Sequence, residues 1–170
     1  MDAQNSTPKQ HRSGFVNIIG NPNVGKSTLM NALVGENLSI VTAKAQTTRH
    51  RIMGILNGDD WQIVFSDTPG ILKPSYALQQ SMLDFVDVAI GDADVILYVT
   101  DVVEKKDKNA EYIEKLQKLT CPVLIVLNKI DLSDQPTVLR LIEEWQQLVP
   151  GAEVFPVSAK ERFNLEGILE

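Results

Sequence analysis

Two short runs of the chain are apolar at every position, and they restrict the fold more than any other feature of the sequence. The runs are VILYV at 95–99 and PVLIVL at 122–127. Strands that are buried on both faces of a parallel sheet have this pattern, whereas strands with one solvent-facing side alternate apolar and polar residues. Helix-length segments separate the apolar runs, as right-handed crossovers between parallel strands require. The chain is therefore predicted to be an α/β protein with helices on both sides of its sheet.

The remaining runs complete the predicted sheet. The strand patterns, in chain order, are FVNIIG, HRIMGIL, WQIVFSD, ADVILYVTD, PVLIVLNKID and EVFPVSAK, and the helical patterns are KSTLMNALV, LDFVDVAI, NAEYIEKLQKL and TVLRLIEEWQQLV. The pair Asn57-Gly58, between the second and third strands, is typical of a hairpin turn. The strand at 50–56 is therefore predicted to lie antiparallel at the edge of a mostly parallel, six-stranded sheet in a three-layer sandwich.

The composition fits one globular domain and argues against some classes of partner. The 170 residues are 44% hydrophobic and 22% charged, and 16 basic against 22 acidic residues give a net charge of -6. This balance argues against a broad electrostatic hold on nucleic acid or anionic lipid by this chain. Cys121 is the single cysteine, so the sequence has no disulfide framework and favours a reducing compartment.

The polar character of the first thirteen residues sets the predicted start of the domain. Residues 1–13, MDAQNSTPKQHRS, are polar and lack the apolar centre of a signal peptide. They are predicted to be a flexible segment that precedes one domain at 14–170. The longest apolar runs are far too short to cross a bilayer, so no transmembrane segment is predicted.

The loop between the first strand and the first helix has the sequence of a phosphate-binding site. GNPNVGKST at 20–28 matches G-x-x-x-x-G-K-[ST] between a predicted strand and a predicted helix, which is the context that the motif requires. Its glycines let backbone N–H groups surround an anion at the positive end of the helix dipole. Lys26 is predicted to contact the outer phosphates and Ser27 to ligate Mg²⁺. Gly35 is predicted to end the helix.

Two later motifs predict which base is bound. NKID at 128–131 follows strand PVLIVL, at the edge of the sheet where doubly wound proteins bind ligands. The Asp131 carboxylate can accept hydrogen bonds from guanine N1–H and from the 2-amino group, which adenine lacks. Asn128 is predicted to contact the N7 edge of the base, and Lys129 to lie along the base. Residues 158–160, SAK, can offer a backbone N–H to the guanine carbonyl.

The stretch SDTPG at 66–70 is predicted to complete the phosphate site. Asp67 follows an apolar strand and is placed to hold Mg²⁺ through a water, and the Gly70 N–H is placed to meet a γ-phosphate. As structure alone, DTPG would be a good turn sequence. A P-loop kinase would share the phosphate site but would tolerate other bases, and NKID argues against it.

The motifs together resemble those of the Era family of bacterial GTPases. GNPNVGKSTLMNAL, AKAQTTRHRIMGI, DTPGI, NKID and VSAK occur in that family's order and spacing over essentially all of residues 14–170. The resemblance implies a Ras-like P-loop NTPase fold, binding of GTP and GDP, slow GTP hydrolysis and Mg²⁺ as cofactor. It also implies that the irregular segment 36–48 contains the first switch, in which Thr48 ligates Mg²⁺ and senses the γ-phosphate. The adjacent Thr47 is the alternative.

The predicted site is the sum of these motifs. Residues predicted to act in catalysis are Lys26, Thr48, Asp67 and Gly70, and the Mg²⁺ ligands are Ser27, Thr48 and, through a water, Asp67. The predicted nucleotide-binding residues are Gly20, Asn21, Pro22, Asn23, Val24, Gly25, Lys26, Ser27, Thr28, Asp67, Thr68, Pro69, Gly70, Ile71, Asn128, Lys129, Asp131, Ser158, Ala159 and Lys160.

The resemblance implies partners as well. Era proteins have a KH-type domain after the GTPase domain, whereas this sequence stops at Glu170 inside the last expected helix, so a truncated GTPase domain is expected. A role in small ribosomal subunit assembly and 16S rRNA maturation is implied, with binding to 16S rRNA and the small subunit mainly through that absent domain. A cytoplasmic location, with peripheral association at the inner face of the cell membrane, is implied too. The alternative function is a GTP-gated RNA- or ribosome-binding module in which hydrolysis only resets binding.

Ile71, directly after DTPG, raises the question of how the attacking water would be held. Ras-like enzymes use a glutamine at this position, and isoleucine cannot form that hydrogen bond. Either useful hydrolysis is absent, or the first switch orders the water, or a partner completes the site. GTPases with an asparagine at the place of Asn23 resemble one another in binding K⁺ beside the phosphates; alternatively, Asn23 only shapes the loop. Arg49 ranks below these as a charge donor, because it falls where a strand begins.

Overall fold

A computed structural model describes residues 11–35, 52–71, 75, 77–105 and 110–170. Its sheet has six strands in the order β2-β3-β1-β4-β5-β6. The strands are β1 (Arg12–Gly20), β2 (Ile52–Asn57), β3 (Trp61–Asp67), β4 (Val95–Asp101), β5 (Val123–Asn128) and β6 (Glu153–Pro156). The helices of the described residues are α1 (Lys26–Val34), α2 (Ala77–Gly91), α3 (Ala110–Gln117), α4 (Gln135–Leu148) and α5 (Glu166–Leu169).

The strand directions confirm the predicted sheet. β1 pairs in parallel with both β3 and β4, and β5 pairs in parallel with β4 and β6. β2 pairs antiparallel with β3 and lies at the edge. At the hairpin the Gly58 N–H donates to the Trp61 carbonyl at 2.8 Å. A Cβ on Gly58 would lie 2.2 Å from the Trp61 ring, so the ring occupies the space that a side chain at 58 would need. Residues 50 and 51 of the predicted strand lie outside the described residues.

The start of β1 differs from the sequence prediction. The domain was predicted to begin at residue 14, but Arg12 and Ser13 already pair with Trp61 and Gln62 of β3. The Arg12 N–H also donates to the Asp60 carbonyl at 2.9 Å. Polar side chains gave no strand signal there, yet backbone pairing with β3 continues because hydrogen bonding between strands does not depend on side-chain polarity. Of the segment predicted to be flexible, residues 1–10 lie outside the described residues.

Two apolar layers cover the two faces of the sheet. Successive strand residues point to opposite faces, so Ile18 and Ile19 of β1, both fully buried, enter different layers. The layer that packs α1 and α5 on the sheet includes Ile18, Leu29, Met30, Phe65, Leu97 and Val126. The layer that packs α2, α3 and α4 includes Ile19, Val86, Tyr98, Ile113, Ile125 and Trp145. This arrangement is the predicted three-layer sandwich.

Two helices each have one end defined by a specific capping contact. α1 ends as predicted at Gly35, which has a left-handed φ of 83° and donates its N–H to the Asn31 carbonyl. α4 begins after Asp134, whose carboxylate accepts from the Thr137 N–H at 2.8 Å. Hydrogen bonding to the side chain and to the backbone N–H of Thr137 lowers the pKa of Asp134, because it stabilises the ionised carboxylate. Asp134 therefore has a structural role at the start of α4.

None of the helices in the described part of the chain combines the length and the apolar character needed to cross a membrane.

Burial of α1 side chains against the sheet should contribute strongly to the free energy of unfolding of the domain. Leu29 is fully buried, so Leu29→Ala should lower the free energy of unfolding by about 2–5 kcal/mol through lost burial and a cavity. Leu139 of α4 is 53% exposed, and the same change there should cost less than about 0.5 kcal/mol. Urea unfolding of both variants without nucleotide measures the difference. Equal costs would contradict the packing described here.

Candidate functional site

The loop at 20–28, hereafter the P-loop, depends on its first glycine. Gly20 ends β1 with φ 151°, a conformation that residues with a Cβ rarely adopt. A Cβ at this position would lie 2.2 Å from the Val99 carbonyl oxygen of β4. The chain can therefore leave β1 close beside β4 only with glycine here.

The second P-loop glycine sets the start of α1. Gly25 has φ 97°, and a Cβ on it would lie 2.2 Å from Nδ2 of Asn128. The Gly25 carbonyl accepts the first hydrogen bond of α1, from the Leu29 N–H, at 2.8 Å. The N–H groups at the start of a helix have no partner within the helix, and its dipole is positive there, so this end of α1 suits an anion. The structure thus has the strand, loop and helix that the motif predicts.

Lys26 is held inside this loop. Its side chain is only 6% exposed, and Nζ donates to the Asn21 carbonyl at 2.7 Å. Burial lowers the pKa of Lys26 to about 8, although the negative charges of Asp67 and Glu104 act in the opposite direction. A buried ammonium group favours binding of an anion, because a phosphate would replace the water that the charge has lost.

Ser27 and Asp67 meet at the predicted metal position. The Ser27 hydroxyl donates to Oδ2 of Asp67 at 2.6 Å. Asp67 is the last residue of β3, fully buried, and lies beside Ile18 of β1 in the sheet register. A hydroxyl and a carboxylate oxygen are hard ligands of the kind that Mg²⁺ binds. Among the described residues, no three His, Cys, Asp or Glu side chains group as a metal site. The residues present therefore fit an ion that takes its other ligands from phosphate and water.

The stretch after β3 lies directly on the P-loop. The Thr68 hydroxyl donates to the Ile18 carbonyl at 2.7 Å, and the Ile71 N–H donates to the Gly20 carbonyl at 3.0 Å. A Cβ on Gly70 would lie 2.7 Å from the backbone nitrogen of Pro22, so only glycine allows this approach. Pro69 is buried in the same stretch. The structure therefore brings 67–71 and the P-loop together, as predicted.

The side chain of Ile71 points away from this contact. It is 4% exposed and belongs to the apolar layer that contains Ile19 and Val86. The Ile71 side chain packs in the core, so Ile71 can meet a nucleotide only through its backbone, and its place among the nucleotide-binding residues stays a prediction. Val24 and Ala159 also place their side chains in the core, in the layer of α1, and can meet a ligand only through their backbones.

The side chain of Asn128 joins three predicted motifs. Its Nδ2 donates to the Val24 carbonyl of the P-loop at 2.9 Å, and its Oδ1 accepts from the Ala159 N–H at 3.0 Å. Asn128 is 2% exposed, so both hydrogen bonds lie away from solvent. The amide nitrogen has a second N–H, and contact of this side chain with a base stays a prediction.

Asp131 and Ser158 also meet. The Ser158 hydroxyl donates to Oδ1 of Asp131 at 2.6 Å, and Ser158 is 1% exposed. Asp131 lies in the short 3-10 turn Ile130–Leu132 directly after β5. The hydrogen bond orients one carboxylate oxygen and leaves the other available to a ligand edge. Lys160 lies apart from these groups, because its side chain is 80% exposed and its Nζ is 3.6 Å from Glu161.

Lys129 links this region to the P-loop from a rare backbone conformation. It has φ 61°, in the left-handed region that residues other than glycine seldom occupy. Its Nζ donates to Oδ2 of Asp101 at 2.6 Å and to the Asn23 carbonyl. Asn23 has φ 63°, and its side chain is exposed. Through this hydrogen bond, Lys129 joins the NKID motif to the P-loop at Asn23.

Sequence reasoning missed two acidic residues at the carboxyl end of β4. Asp101 ends β4 and is 7% exposed, and Glu104 accepts hydrogen bonds from the Asn21 side chain and, at 2.8 Å, from the Thr100 hydroxyl. The signal was present, since VTDVVE places polar residues at the carboxyl end of a buried strand beside the P-loop strand. These residues match no nucleotide-binding motif, so a search for motifs did not identify them.

Part of the predicted site, Thr48 and its alternative Thr47, lies outside the described residues, as does Arg49. Thr28 is half-buried in the first turn of α1, next to Ser27.

Comparisons with known proteins match this geometry. The profile of the 50S ribosome-binding GTPase family matches residues 15–129. The GTPase Era of Heliobacterium modesticaldum is 45% identical over 156 residues, which cover 91% of this chain and 52% of that protein. The chain thus spans about half the length of the curated relatives it matches.

Solved structures of Era proteins are also similar to this chain. A structure of Era with MgGDPNP and nucleotides 1506–1542 of 16S ribosomal RNA superposes with a TM-score of 0.88 at 40% identity, covering 94% of this chain and 55% of that one. A structure of Aquifex aeolicus Era with a tyrosine-to-alanine substitution, bound to GDP and AlF4⁻, gives a TM-score of 0.86 at 40% identity, covering 92% and 55%. The resemblance to the Era proteins and the Ras-like P-loop fold are confirmed, and the chain belongs to the 50S ribosome-binding GTPase family.

Proposed function

We propose that this chain binds GTP and hydrolyses it to GDP and phosphate, and that it acts as a switch in small ribosomal subunit assembly and 16S rRNA maturation. The observation that supports this most is the position of Asp131. Its carboxylate is oriented by Ser158, next to the Asn128 side chain that bonds to the P-loop. A base-reading group and a phosphate-binding loop are therefore parts of one site.

Guanine fits this site better than adenine. The carboxylate oxygen of Asp131 that Ser158 does not bind can accept from N1–H and the 2-amino group of guanine. Adenine presents an acceptor at N1 and has no 2-amino group, so it would leave the carboxylate without those hydrogen bonds. A site built to bond a polar edge discriminates strongly against a ligand that lacks the edge.

Ser27 and Asp67 would hold Mg²⁺, with Asp67 acting through a water. Support comes from the oxygen pair at 2.6 Å and from the solved Era structure, which contains MgGDPNP. When bound, the ion would offset the negative charge of the phosphates. Thr48 is proposed as a further ligand from the first switch.

The residues of the chain would act on the phosphates mainly by position and charge. Lys26 supplies a buried cation from the P-loop, and the N–H of Gly70 is proposed to contact the γ-phosphate. The core position of Ile71 removes its side chain as a holder of water. The water would be ordered by the first switch, by a K⁺ ion beside Asn23 or by a partner, and phosphoryl transfer of this kind depends mostly on electrostatics.

Ribosomal RNA is the proposed macromolecular partner. One solved relative is described with nucleotides 1506–1542 of 16S ribosomal RNA. This chain spans about half of such relatives and has a net charge of -6, so we place most of the RNA contact in sequence that it does not include. The proposed location is the cytoplasm. Peripheral association with the inner face of the cell membrane stays a prediction of the family resemblance.

The alternative is a GTP-gated RNA- or ribosome-binding module in which hydrolysis only resets binding. It would use the same nucleotide site. GTP turnover with and without small-subunit RNA separates the two, because the switch proposed here turns over GTP without RNA, whereas the module needs RNA to do so.

Replacing Asp131 by asparagine should change base preference. In Asp131→Asn the amide oxygen can still accept from Ser158, and the amide nitrogen can then donate to the 2-oxo group of xanthine. Loss of hydrogen bonds to a charged group should weaken GDP binding about 10- to 100-fold, while xanthosine diphosphate should bind more tightly than to the wild type. Titration with fluorescent nucleotides measures both affinities.

Asp134→Asn is the matched control for that experiment. It makes the same chemical change three positions later, where asparagine can still accept from the Thr137 N–H at the start of α4. Its preference for GDP should equal that of the wild type. If Asp131→Asn also kept the wild-type preference, Asp131 would not read the base.

If a K⁺ ion binds beside Asn23, the rate of GTP hydrolysis should depend on which monovalent cation is present. Exchange of K⁺ for Na⁺ should slow GTP hydrolysis about tenfold or more, because a cation there would supply part of the roughly 10³–10⁵-fold effect of an arginine finger. Asn23→Gly should remove the K⁺ effect. Glycine keeps the left-handed backbone at this position, whereas alanine would add strain.

Asn164→Gly serves as the control for Asn23→Gly. Asn164 has φ 58°, so the same change is made in the same backbone conformation, and its side chain donates to the Pro156 carbonyl, away from the P-loop. This variant should keep the K⁺ effect. Equal rates in the two salts for the wild type, or an undiminished K⁺ effect in Asn23→Gly, would exclude an ion held by Asn23.

A further inference from the structure

Residues at the carboxyl end of β4, Asp101 and Glu104, contact both the NKID motif and the P-loop. Asp101 is 7% exposed, and its Oδ1 accepts from the N–H groups of Val103 and Glu104 at 2.9 and 2.8 Å. Its Oδ2 accepts from Lys129 Nζ at 2.6 Å. The carboxylate therefore has one oxygen on its own loop and the other on the NKID motif.

Lys129 is constrained by these contacts. Its ammonium group reaches Asp101 on one side and the Asn23 carbonyl on the other, and its backbone is left-handed at φ 61°. A residue other than glycine is strained in such a conformation and keeps it only when surrounding contacts require it. Of these two contacts, the one with Asp101 is an ion pair. The stem of Lys129 is the part predicted to lie along the base.

The same short loop contacts the P-loop at a second point. Glu104 accepts from the side chain of Asn21, and the carbonyl of Asn21 accepts from Lys26. Through Lys129 and Glu104, the loop after β4 therefore reaches both Asn23 and Asn21. These residues flank Pro22, on which Gly70 packs.

We propose that Asp101 is a positioning residue for guanine nucleotide binding: its buried carboxylate holds Lys129 across the P-loop, so that the lysine stem is already in place when the base arrives. The inference rests on the proposed function. A lysine that is already oriented loses less side-chain entropy on binding, and the gain appears mainly as slower dissociation of the nucleotide.

Asp101→Asn tests this directly. Its Oδ1 can still accept from Val103 and Glu104, but the amide nitrogen that replaces Oδ2 cannot accept from Lys129. GDP dissociation, followed by stopped-flow with a fluorescent GDP, should become about tenfold faster or more, with little change in the association rate. Asp94→Asn makes the same change at the other end of β4, where Asp94 is exposed and accepts from the Phe15 N–H. It should leave both rates unchanged.

A double-mutant cycle separates positioning from a merely structural role. Lys129→Met should itself speed GDP dissociation, and Asp101→Asn added to it should have no further effect, because the group that Asp101 holds is gone. If Asp101 only stabilised its own loop, it would speed dissociation by the same factor in both backgrounds, and that result would overturn the proposal.

Two further measurements distinguish failure of the positioning role from misfolding of the variant and from failure of the proposed function. Urea unfolding shows whether Asp101→Asn is folded; if it is not, Asp101→Ser replaces it in the cycle, since serine can accept from the N–H of Val103 or Glu104. Wild-type binding of GDP is measured first. Absence of that binding would refute the proposed function, whereas wild-type binding with an unchanged dissociation rate in the Asp101 variant would refute only the positioning role.

Discussion

The side-chain amide of Asn128 is the contact on which the site depends most. Its nitrogen bonds to Val24 in the P-loop, and its oxygen bonds to the N–H of Ala159. The three segments come from distant parts of the chain, and each lies at the end of a different strand. Because the amide is buried, losing either hydrogen bond would leave a polar group without solvent or partner. A Cβ on Gly25 would collide with Asn128, so the Asn128 side chain can take this position only with glycine at 25.

The sheet explains why these contacts are available. β1, β3, β4 and β5 run in parallel, so their carboxyl ends meet at one edge. The P-loop follows β1 there, and Asp67, Asp101 and Asn128 are the last residues of the other three strands. Apolar layers on both faces hold the strands in register. Groups of opposite charge lie together at this edge: the negative charges of Asp67 and Glu104 act on Lys26, and Lys129 pairs with Asp101. Buried charges are tolerated when they are paired and hydrogen-bonded, and paired charges can still respond to an added anion.

Much of this arrangement could be predicted from local patterns. Runs such as VILYV indicate buried parallel strands, and the P-loop motif indicates a strand, a loop and a helix, since each depends on residues close together in sequence. The direction of the Ile71 side chain could not be predicted, because it depends on how the segment after β3 lies on Gly20. The pairing of Asp101 with Lys129 joins residues 28 positions apart, and no motif describes it. The first two residues of β1 also escaped prediction, because backbone pairing alone includes them in the sheet.

The function proposed here requires that one site bind guanine selectively and hydrolyse the attached triphosphate. Phosphate release from GTP and from ATP by this chain, measured at equal concentration with Mg²⁺ and K⁺, is the decisive experiment. We expect slow release from GTP and none above background from ATP, because only guanine satisfies the Asp131 carboxylate. Equal release from both nucleotides, or none from GTP, would contradict the function proposed for this site.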